Sequence, residues 1–289
     1  MNPGDKFRSL LAAGPVACLG AYDAMTSRLV QEVGAKAMYV SGYAAAAAAF
    51  GYADLGLVSQ TEMAEHLRRI CRVTDLPVIA DADTGYGGIL SVQRTVELWE
   101  AAGAAGLHLE DQGFPKKCGH IAGKTLIPAD EMVQKIRAAR AARRPDGGFY
   151  LIARTDAVAV TGLDDALERC QRYAEAGADA LFVDAPESVG QLERIGRALA
   201  GCGKPLVFNS ARTGKSPFLT EQQLHDLGFD IVLYPIEALT AAHRACREVL
   251  AALVQARGTD AVADRVSGFD DINRLVQLPE SVRRDGSFR

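Results

Sequence analysis

Short apolar runs alternate with longer amphipathic segments along the whole chain. The short runs are rich in Val, Leu, Ile and Ala, and the segments after them repeat apolar positions at helical spacing. Glycines that precede several of the runs are typical of helix ends. The pattern predicts eight strands: Val16–Gly20, Ala37–Ser41, Val78–Ala82, Leu107–Glu110, Tyr150–Arg154, Ala180–Asp184, Leu206–Asn209 and Ile231–Tyr234.

The predicted strands are almost continuously apolar, which is typical of a parallel sheet covered by helices. Eight strand–helix units favour an α/β fold of the closed (β/α)₈ TIM-barrel type over an open doubly wound sheet, which is the alternative. No GxGxxG or GxxxxGK[ST] motif follows a predicted strand, and this argues against a nucleotide-binding open sheet. We expect one barrel domain over residues 1–289, with residues 236–289 as a C-terminal helical extension.

Composition excludes several classes of partner. The 289 residues include 32 Lys and Arg against 36 Asp and Glu, and a net charge of −4 gives no general attraction for nucleic acid or an anionic membrane. No apolar run reaches the roughly 18 residues that a membrane span requires. The six cysteines lack paired spacing, as in proteins of a reducing compartment, so a cytoplasmic location is expected.

Polar residues gather at one end of the predicted strands. In a parallel barrel, catalytic groups come from the carboxyl ends of the strands and the loops after them. The residues at those ends are Ser41, Gly42, Tyr43, Asp81, Asp83, Glu110, Asp111, Arg154, Asp156, Asp184 and Asn209. The opposite ends carry Pro77, Gly106 and Pro205. One rim of the barrel is therefore the predicted site.

The segment DADTGYGG places two carboxylates close together. Asp81 and Asp83 project to the same side if the backbone is extended, and Glu110 ends the neighbouring strand. Three carboxylates with no His or Cys partner suit Mg²⁺ or Mn²⁺. The alternative is that these acids cap turns or helices, as Asp before glycine-rich turns often does.

A long loop, EDQGFPKKCGHIAGKTLIP, follows the fourth predicted strand. Loops of this length in compact domains are often functional. Its Cys118 is flanked by Lys116, Lys117 and His120, and cationic neighbours favour a reactive thiolate. The alternative is a solvated basic loop with an incidental cysteine. The other five cysteines are expected to be packing residues, and no second pair at ligand spacing supports a zinc site.

Arg154 ends the strand FYLIART, at the predicted barrel mouth. A guanidinium there suits bidentate binding of a carboxylate or phosphate. The alternative is an ion pair with Asp156 or Asp184.

Several motifs together resemble a known superfamily. The segments VSGY, DADTGYGG with the following RTV, LEDQ, PKKCGH, GK, ARTDA and EAGADALFV occur in an order and spacing similar to the isocitrate lyase/phosphoenolpyruvate mutase superfamily. The resemblance covers roughly residues 8–250 and is to the short members that include 2-methylisocitrate lyase-like and petal-death-protein-like enzymes. PKKCGH is the most specific motif, because it resembles the lyase signature and not the pure mutase branch.

The resemblance implies a (β/α)₈ barrel whose last helix swaps between subunits, in dimers that pair into tetramers. It implies Mg²⁺, with Mn²⁺ as an alternative, and a small 2-hydroxy or 2-oxo carboxylate substrate that reacts through enolate-like intermediates. Asp81 and Asp83 would lie at the metal, with Asp54 and Glu110 nearby, mostly through water.

The same resemblance assigns roles at the substrate. Ser41, Gly42 and Tyr43 would hold the 2-oxo acid end together with Arg154, and Tyr43 is also a candidate base. A gating loop would carry Lys116, Cys118, Gly119 and His120, with Cys118 as the acid/base. Asn209 and Arg212 complete the expected substrate-binding set.

Two positions depart from the family pattern. The segment from Asn209 to Pro217 resembles N-x-x-E-x-G-x-[ST]-P, but Arg212 stands in place of the acid, and Asp184 stands where Glu is common. A base in place of an acid favours a substrate with an additional anionic group. The expected activity is Mg²⁺-dependent cleavage of a carbon–carbon bond in a substrate of the 2-methylisocitrate or 2,3-dimethylmalate type. The alternatives are an oxaloacetate hydrolase, a carboxyphosphonate-type phosphonomutase and a catalytically silent barrel that binds a dicarboxylate.

Overall fold

The computed structural model describes residues 1–117, 123–145, 148–212 and 214–288. Within these residues, eight parallel strands form a closed barrel in chain order, and the last strand pairs with the first. The strands are β1 Val16–Gly20, β2 Ala37–Val40, β3 Val78–Asp81, β4 Gly106–Glu110, β5 Tyr150–Thr155, β6 Ala180–Val183, β7 Leu206–Asn209 and β8 Phe229–Tyr234. The predicted (β/α)₈ fold is confirmed, and the open sheet is excluded.

The predicted strands match the observed ones closely. β1 and β7 have the predicted bounds, and the largest difference is β8, which begins at Phe229 instead of Ile231. The polar Asp230 makes that start difficult to see in the sequence. In the structure the Asp230 carboxylate accepts a long hydrogen bond from the Leu206 N–H at 3.4 Å, while Phe229 is buried.

Helices surround the barrel and extend beyond it. They are α1 Pro3–Ala13, α2 Ala24–Glu32, α3 Gly42–Ala45, α4 Gln60–Cys71, α5 Ile89–Ala102, α6 Ala129–Ala142, α7 Leu163–Ala176, α8 Val189–Leu199, α9 Glu221–Asp226, α10 Glu237–Ala256, α11 Phe269–Leu275 and α12 Leu278–Gly286. A π-helical turn, Ala46–Phe50, continues α3. Gly103 and Gly177 end α5 and α7 in the left-handed conformation, as their positions before strands predict. No helix of the described residues is both long and apolar enough to span a membrane.

Helix α1 closes the amino-terminal end of the barrel. Its Phe7 is fully buried and packs edge-on against Tyr150, the first residue of β5, with ring centroids 5.1 Å apart. The backbone of α1 comes so close at Gly4 that a Cβ there would lie 2.3 Å from the Gly148 carbonyl oxygen. The carboxyl end of the barrel is therefore the end at which a site can open.

Helix α10 packs differently from the helices that cover the sheet. It is 20 residues long, and none of its residues is buried. Its Leu250 and Val254 are 61% and 78% exposed. On the barrel surface, a groove beside β1 is lined by apolar residues that include Leu10, Val16 and Leu19. The chain thus leaves apolar side chains of α10 and a largely apolar groove uncovered.

Candidate active site

Four carboxylates meet at the carboxyl end of the barrel. Asp81 ends β3, Asp83 follows it, Glu110 ends the adjacent β4, and Asp54 lies in the loop before α4. Asp81, Asp83 and Glu110 are buried. The Asp81 carboxylate accepts hydrogen bonds from the backbone N–H of Asp83 at 2.9 Å and of Gly42 at 3.0 Å. The loops after β2 and β3 are thereby fastened to one side chain.

Asp83 reaches the cluster by a different backbone path from the one expected. The prediction that both acids project from an extended segment is wrong, because Asp83 has a φ of 47°. A left-handed residue turns the chain back after β3, so that both carboxylates face the Gly42 backbone. A Cβ at Gly42 would lie 2.9 Å from Asp81 Oδ2 and 3.2 Å from Asp83 Oδ1. Glycine is thus required by the close approach of the two loops.

The neighbours of Gly42 are less closely engaged with the acids. Ser41 is buried, and its hydroxyl accepts a long hydrogen bond from the Ala44 N–H at 3.4 Å, which caps α3. Tyr43 is 40% exposed. Its exposure gives no support to the expectation that it acts as the base, which stays a prediction.

Lys116 brings a positive charge into the acidic cluster. Its ammonium group forms ion pairs with Asp54 and, at 2.6 Å, with Asp83 Oδ1. Burial opposes the charged ammonium, but the carboxylates of Asp83 and Asp81 outweigh this and raise the pKa of Lys116. The lysine predicted to lie on the gating loop therefore contacts two of the predicted metal-binding residues.

Two of the acids, Asp83 and Glu110, hold protons more strongly than usual. Burial, together with the nearby Asp81 and Asp54 carboxylates, raises the pKa of Asp83 to about 7. Burial also raises the pKa of Glu110 well above its usual range. A bound divalent cation would favour the charged form of both carboxylates and so oppose the effect of burial.

His108 is part of the cluster, which the sequence analysis missed. Its Nε2 lies 2.7 Å from the Tyr39 hydroxyl and 3.5 Å from Asp81 Oδ1. The expectation that no histidine accompanies the carboxylates is wrong. His108 precedes Glu110 by two positions in β4, so both side chains point to the same face, and this spacing could have revealed it. Burial lowers the pKa of His108, which favours the neutral ring.

The donor set fits a divalent cation. Asp81, His108 and Glu110 can each offer one ligand atom, and these atoms lie within 4.8 Å of one another. Among the described residues, the buried Glu110 Oε1 has no hydrogen-bond partner. An unsatisfied carboxylate oxygen is costly in a buried site unless a proton or cation compensates it. Clustered carboxylates suit a hard cation such as Mg²⁺ or Mn²⁺.

Arg154 lies beside this cluster and is held by carboxylates. It donates from Nε and Nη2 to the two oxygens of Asp156, both at 3.0 Å, and from Nη2 to Asp184 at 3.1 Å. Its Nε is also 3.4 Å from Glu110 Oε2. The ion pairs considered as an alternative are present. These ion pairs use Nε and Nη2 of Arg154. Among the described residues Nη1 has no hydrogen-bond partner, so a ligand carboxylate could bind to it.

The two predicted substrate-binding residues at and after the end of β7, Asn209 and Arg212, have different surroundings. Asn209 lies at the end of β7, and its buried Oδ1 has no hydrogen-bond partner within the described residues. Arg212 is exposed, and its guanidinium lies over the Phe218 ring at 4.8 Å. Its backbone N–H donates to Glu237 Oε1 at 3.0 Å. Among the described residues, Arg212 forms no ion pair with the carboxylates of the cluster.

Cys118, Gly119 and His120 lie outside the described residues. Their predicted roles therefore stay predictions. Of the other cysteines, Cys18 and Cys170 are buried, and Cys71 and Cys202 are half-buried. Cys246 is exposed on α10, so the expectation that it packs is wrong for the isolated chain.

Comparison with known families identifies the class of protein. The sequence model described as phosphoenolpyruvate phosphomutase matches residues 7–254. The chain therefore belongs to the phosphoenolpyruvate mutase/isocitrate lyase superfamily, as its motifs predict.

Curated relatives cover nearly the whole chain. A 2,3-dimethylmalate lyase from Eubacterium barkeri is 40% identical over 98% of this chain and 96% of its own. A carboxyvinyl-carboxyphosphonate phosphorylmutase from Arabidopsis thaliana is 43% identical over 92% of this chain and 78% of its own. A 2-methylisocitrate lyase from Bacillus subtilis is 39% identical over 96% of this chain and 88% of its own. The prediction of an enzyme of the carbon–carbon lyase type is confirmed by these lyase relatives.

Solved structures agree with the fold over its full length. Oxaloacetate acetylhydrolase bound to 3,3-difluorooxalacetate superposes with a TM-score of 0.92 at 34% identity, covering 99% of this chain and 97% of the other. A 2,3-dimethylmalate lyase superposes with a TM-score of 0.93 at 33% identity, covering 99% and 95%. Proteins with different reactions thus share this barrel.

Proposed function

We propose that this protein is a Mg²⁺-dependent lyase that cleaves a carbon–carbon bond in a small 2-hydroxy di- or tricarboxylate. The products would be a 2-oxo acid and a second carboxylic acid, as for a substrate of the 2,3-dimethylmalate or 2-methylisocitrate type. One observation carries the proposal: a buried acidic cluster and a fixed guanidinium share the same mouth of the barrel, with Arg154 Nε 3.4 Å from Glu110. Such a mouth can hold a cation and a carboxylate side by side.

Different residues would have different roles in such a reaction. Asp81, Asp83 and Glu110, with Asp54 and His108 nearby, would hold Mg²⁺, which supplies Lewis-acid stabilisation of a developing oxyanion. Arg154 would bind a substrate carboxylate through Nη1. Cleavage requires that the 2-hydroxyl give its proton to a base, for which Tyr43 is the predicted candidate, as the carbon–carbon bond breaks and its electron pair passes to an enolate. By the resemblance, the Cys118 thiol would give that enolate its proton.

A substrate screen tests the proposal directly. Purified protein with added Mg²⁺ is incubated with 2-substituted malates, citrates and oxaloacetate, and both products are identified by mass spectrometry. We expect a 2-oxo acid and a second carboxylic acid in equal amounts from at least one 2-hydroxy acid. The control is the same protein with excess EDTA, which should form neither product. A protein that binds Mg²⁺ but turns over no member of the panel would contradict the lyase and favour a silent binder.

Oxaloacetate hydrolysis is the second candidate. The superposition on oxaloacetate acetylhydrolase favours it, because that structure matches this chain over nearly its full length. Its products would be oxalate and acetate, so the same screen separates the two reactions. A phosphonomutase would instead act on a phosphonate and give a rearranged phosphorus compound, not a pair of carboxylic acids.

We also propose that the protein is a homo-oligomer in which α10 of one protomer covers the groove beside β1 of another. The support is the match between the two uncovered surfaces: α10 buries no residue, and the groove is lined by residues such as Leu10, Val16 and Leu19. The exposed apolar residues of α11 and α12, among them Phe269 and Val282, would extend the contact. Dimers would be the minimum assembly, and tetramers would be pairs of them.

Charged substitutions on α10 test this assembly. The double variant Leu250→Asp/Val254→Asp is expected to lower the mass measured by light scattering to that of one chain, 30.8 kDa, because burying two carboxylates in an apolar contact is costly. Val189→Asp, which alters an exposed valine at the start of α8, is the matched control and should keep the oligomer. A wild-type protein that elutes as a single chain would contradict the proposal.

A cytoplasmic location remains a proposal from cysteine usage. All five described cysteines are free thiols, which agrees with a reducing compartment.

A further inference from the structure

Lys124 is a buried lysine just beyond the catalytic-loop segment that carries Cys118. Its side chain is 1% exposed, and its ammonium group donates to Asp156 Oδ1 at 2.8 Å. Lysine is almost never fully buried unless it is paired. The pair therefore fixes this end of the loop against the barrel, and the contact spans 32 positions of the sequence.

Asp156 is the point at which the loop and the substrate-binding arginine meet. The same Oδ1 that accepts from Lys124 accepts from Arg154 Nη2 at 3.0 Å, and Oδ2 accepts from Arg154 Nε at 3.0 Å. The carboxylate is fully buried. Because one oxygen serves both cations, a shift of Lys124 moves the acceptor that aligns the Arg154 guanidinium.

The backbone of Asp156 is fixed from the opposite side by Asp111. The Asp111 carboxylate accepts from the Asp156 N–H at 3.0 Å, and from the side chains of Thr155 at 2.7 Å, Tyr173 at 2.7 Å and Arg169 at 3.1 Å. Four donors saturate its two oxygens. Asp111 therefore faces α7 and supports β5, whereas its sequence neighbour Glu110 faces the metal-binding cluster.

Asp111 also holds the base of the loop. Its carbonyl accepts from the Ile127 N–H at 3.0 Å, and the Gly113 N–H donates to the Thr125 carbonyl at 2.8 Å. A bridge between Gln112 and Leu126 lies between these bonds. The two ends of the loop are thus joined as a short stem, and Lys124 extends from this stem to Asp156.

We propose that Lys124 is a positioning residue that couples this stem to substrate binding by aligning Arg154 through the shared carboxylate of Asp156. The inference rests on the proposed function, in which Arg154 binds a substrate carboxylate. The role proposed for Lys124 is indirect. It acts by holding Asp156 in place, so that Nη1 of Arg154 is presented to the ligand.

Oxalate binding in the presence of Mg²⁺ measures this coupling, because oxalate is a small dicarboxylate that the proposed lyase cannot cleave. Calorimetry would compare the wild-type protein, Lys124→Met, Arg154→Lys and the double variant. Lys124→Met is expected to weaken oxalate binding by about tenfold or more, as loss of a supporting residue commonly does. In the Arg154→Lys background the same change is expected to alter binding by less than about twofold, since the residue through which it acts is gone.

Arg143→Met is the matched control, because it also removes a cation from an ion pair but at the other end of the barrel. Arg143 donates to Asp179 Oδ2 at 2.7 Å and to the Phe149 carbonyl at 3.0 Å. This variant should lose thermal stability and keep wild-type oxalate affinity. If Lys124→Met also keeps wild-type affinity, or weakens binding equally in both backgrounds, the pair is only structural and the inference is overturned.

Amide hydrogen exchange of the ligand-free protein provides a second measurement that needs no Lys124 variant. Arg154→Lys is expected to speed exchange in peptides that span residues 111–127, because Asp156 loses its two-bond alignment, and to leave peptides from α8 unchanged. Unchanged exchange in the 111–127 peptides would overturn the coupling. A wild-type protein that binds no oxalate would contradict the proposed function instead, while exchange still decides the coupling.

Discussion

Replacing Asp81 with asparagine is expected to lower kcat/KM by about 10³-fold or more, since a catalytic metal contributes several kcal/mol and each 1.36 kcal/mol is tenfold in rate. The Asp81 carboxylate lies at the centre of the cluster and accepts the N–H groups of Gly42 and Asp83 on its two oxygens. An amide can accept only through its oxygen, so its NH₂ group would face one of these N–H donors. The variant thus loses a negative charge and disturbs a loop at once.

Manganese provides the readout for this variant. Free Mn²⁺ is measured by its electron paramagnetic resonance signal during titration, and kcat and KM are measured on the substrate that the screen identifies. Asp179→Asn is the matched control, because Asp179 pairs with Arg8 and Arg143 at the other end of the barrel. The control should bind Mn²⁺ as the wild-type protein does. An Asp81→Asn protein with wild-type Mn²⁺ affinity would show that the cation binds elsewhere.

Replacing Cys118 with serine is expected to lower kcat by about 10²–10⁴-fold, the range for a positioned acid or base. Mn²⁺ affinity should stay unchanged, because the acids that would hold the cation belong to the barrel strands and to the loops after them. A serine hydroxyl is a much weaker acid than a thiol, so proton delivery to the enolate should become the slow step. Steady-state kinetics with and without deuterated solvent would measure this.

Cys202→Ser is the control for the thiol substitution, since Cys202 is a half-buried cysteine in a 3₁₀ turn after α8. Its turnover should match the wild-type value. Unchanged turnover in Cys118→Ser would refute the assigned role, and a parallel loss of Mn²⁺ binding would point to a structural role.

Two of the cationic residues that flank Cys118 in the sequence have partners among the described residues. The sequence places three cationic residues around Cys118 and favours a thiolate. However, the ammonium group of Lys116 is paired with Asp54 and Asp83, and that of Lys117 donates to the Gly123 carbonyl at 2.9 Å. The Lys116 charge is compensated by two carboxylates, and it would lower the pKa of a neighbouring group less than an unpaired ammonium group would. This agrees with a cysteine that begins the reaction as a proton donor.

The barrel could be predicted from the sequence because each strand carries its own signal. The same architecture is indicated by buried β-branched runs, by glycines after helices and by the number of strand–helix units. The predicted strand bounds differ from the observed ones by two residues at most. The acidic rim follows from topology alone, because parallel strands end at one side.

The contacts that make the rim a site could not be predicted in the same way. Asp83 adopts a left-handed conformation that its residue type only permits, and Lys116 reaches Asp54 across 62 positions. The Arg212 guanidinium lies over the Phe218 ring, and this contact sets the direction of the side chain. Sequence spacing does not predict such a contact. His108 is the exception, since its two-residue offset from Glu110 was a usable signal.

The closed amino-terminal end of the barrel limits how a substrate can enter and how products can leave. With Phe7 and α1 filling that end, and with the interior packed by side chains, the described residues leave no passage through the barrel. In the proposed reaction, the substrate would therefore enter, and both fragments would leave, at the carboxyl end of the barrel. The fragment bound nearer to that opening would leave first, so the order of product release would depend on the depth at which each is bound.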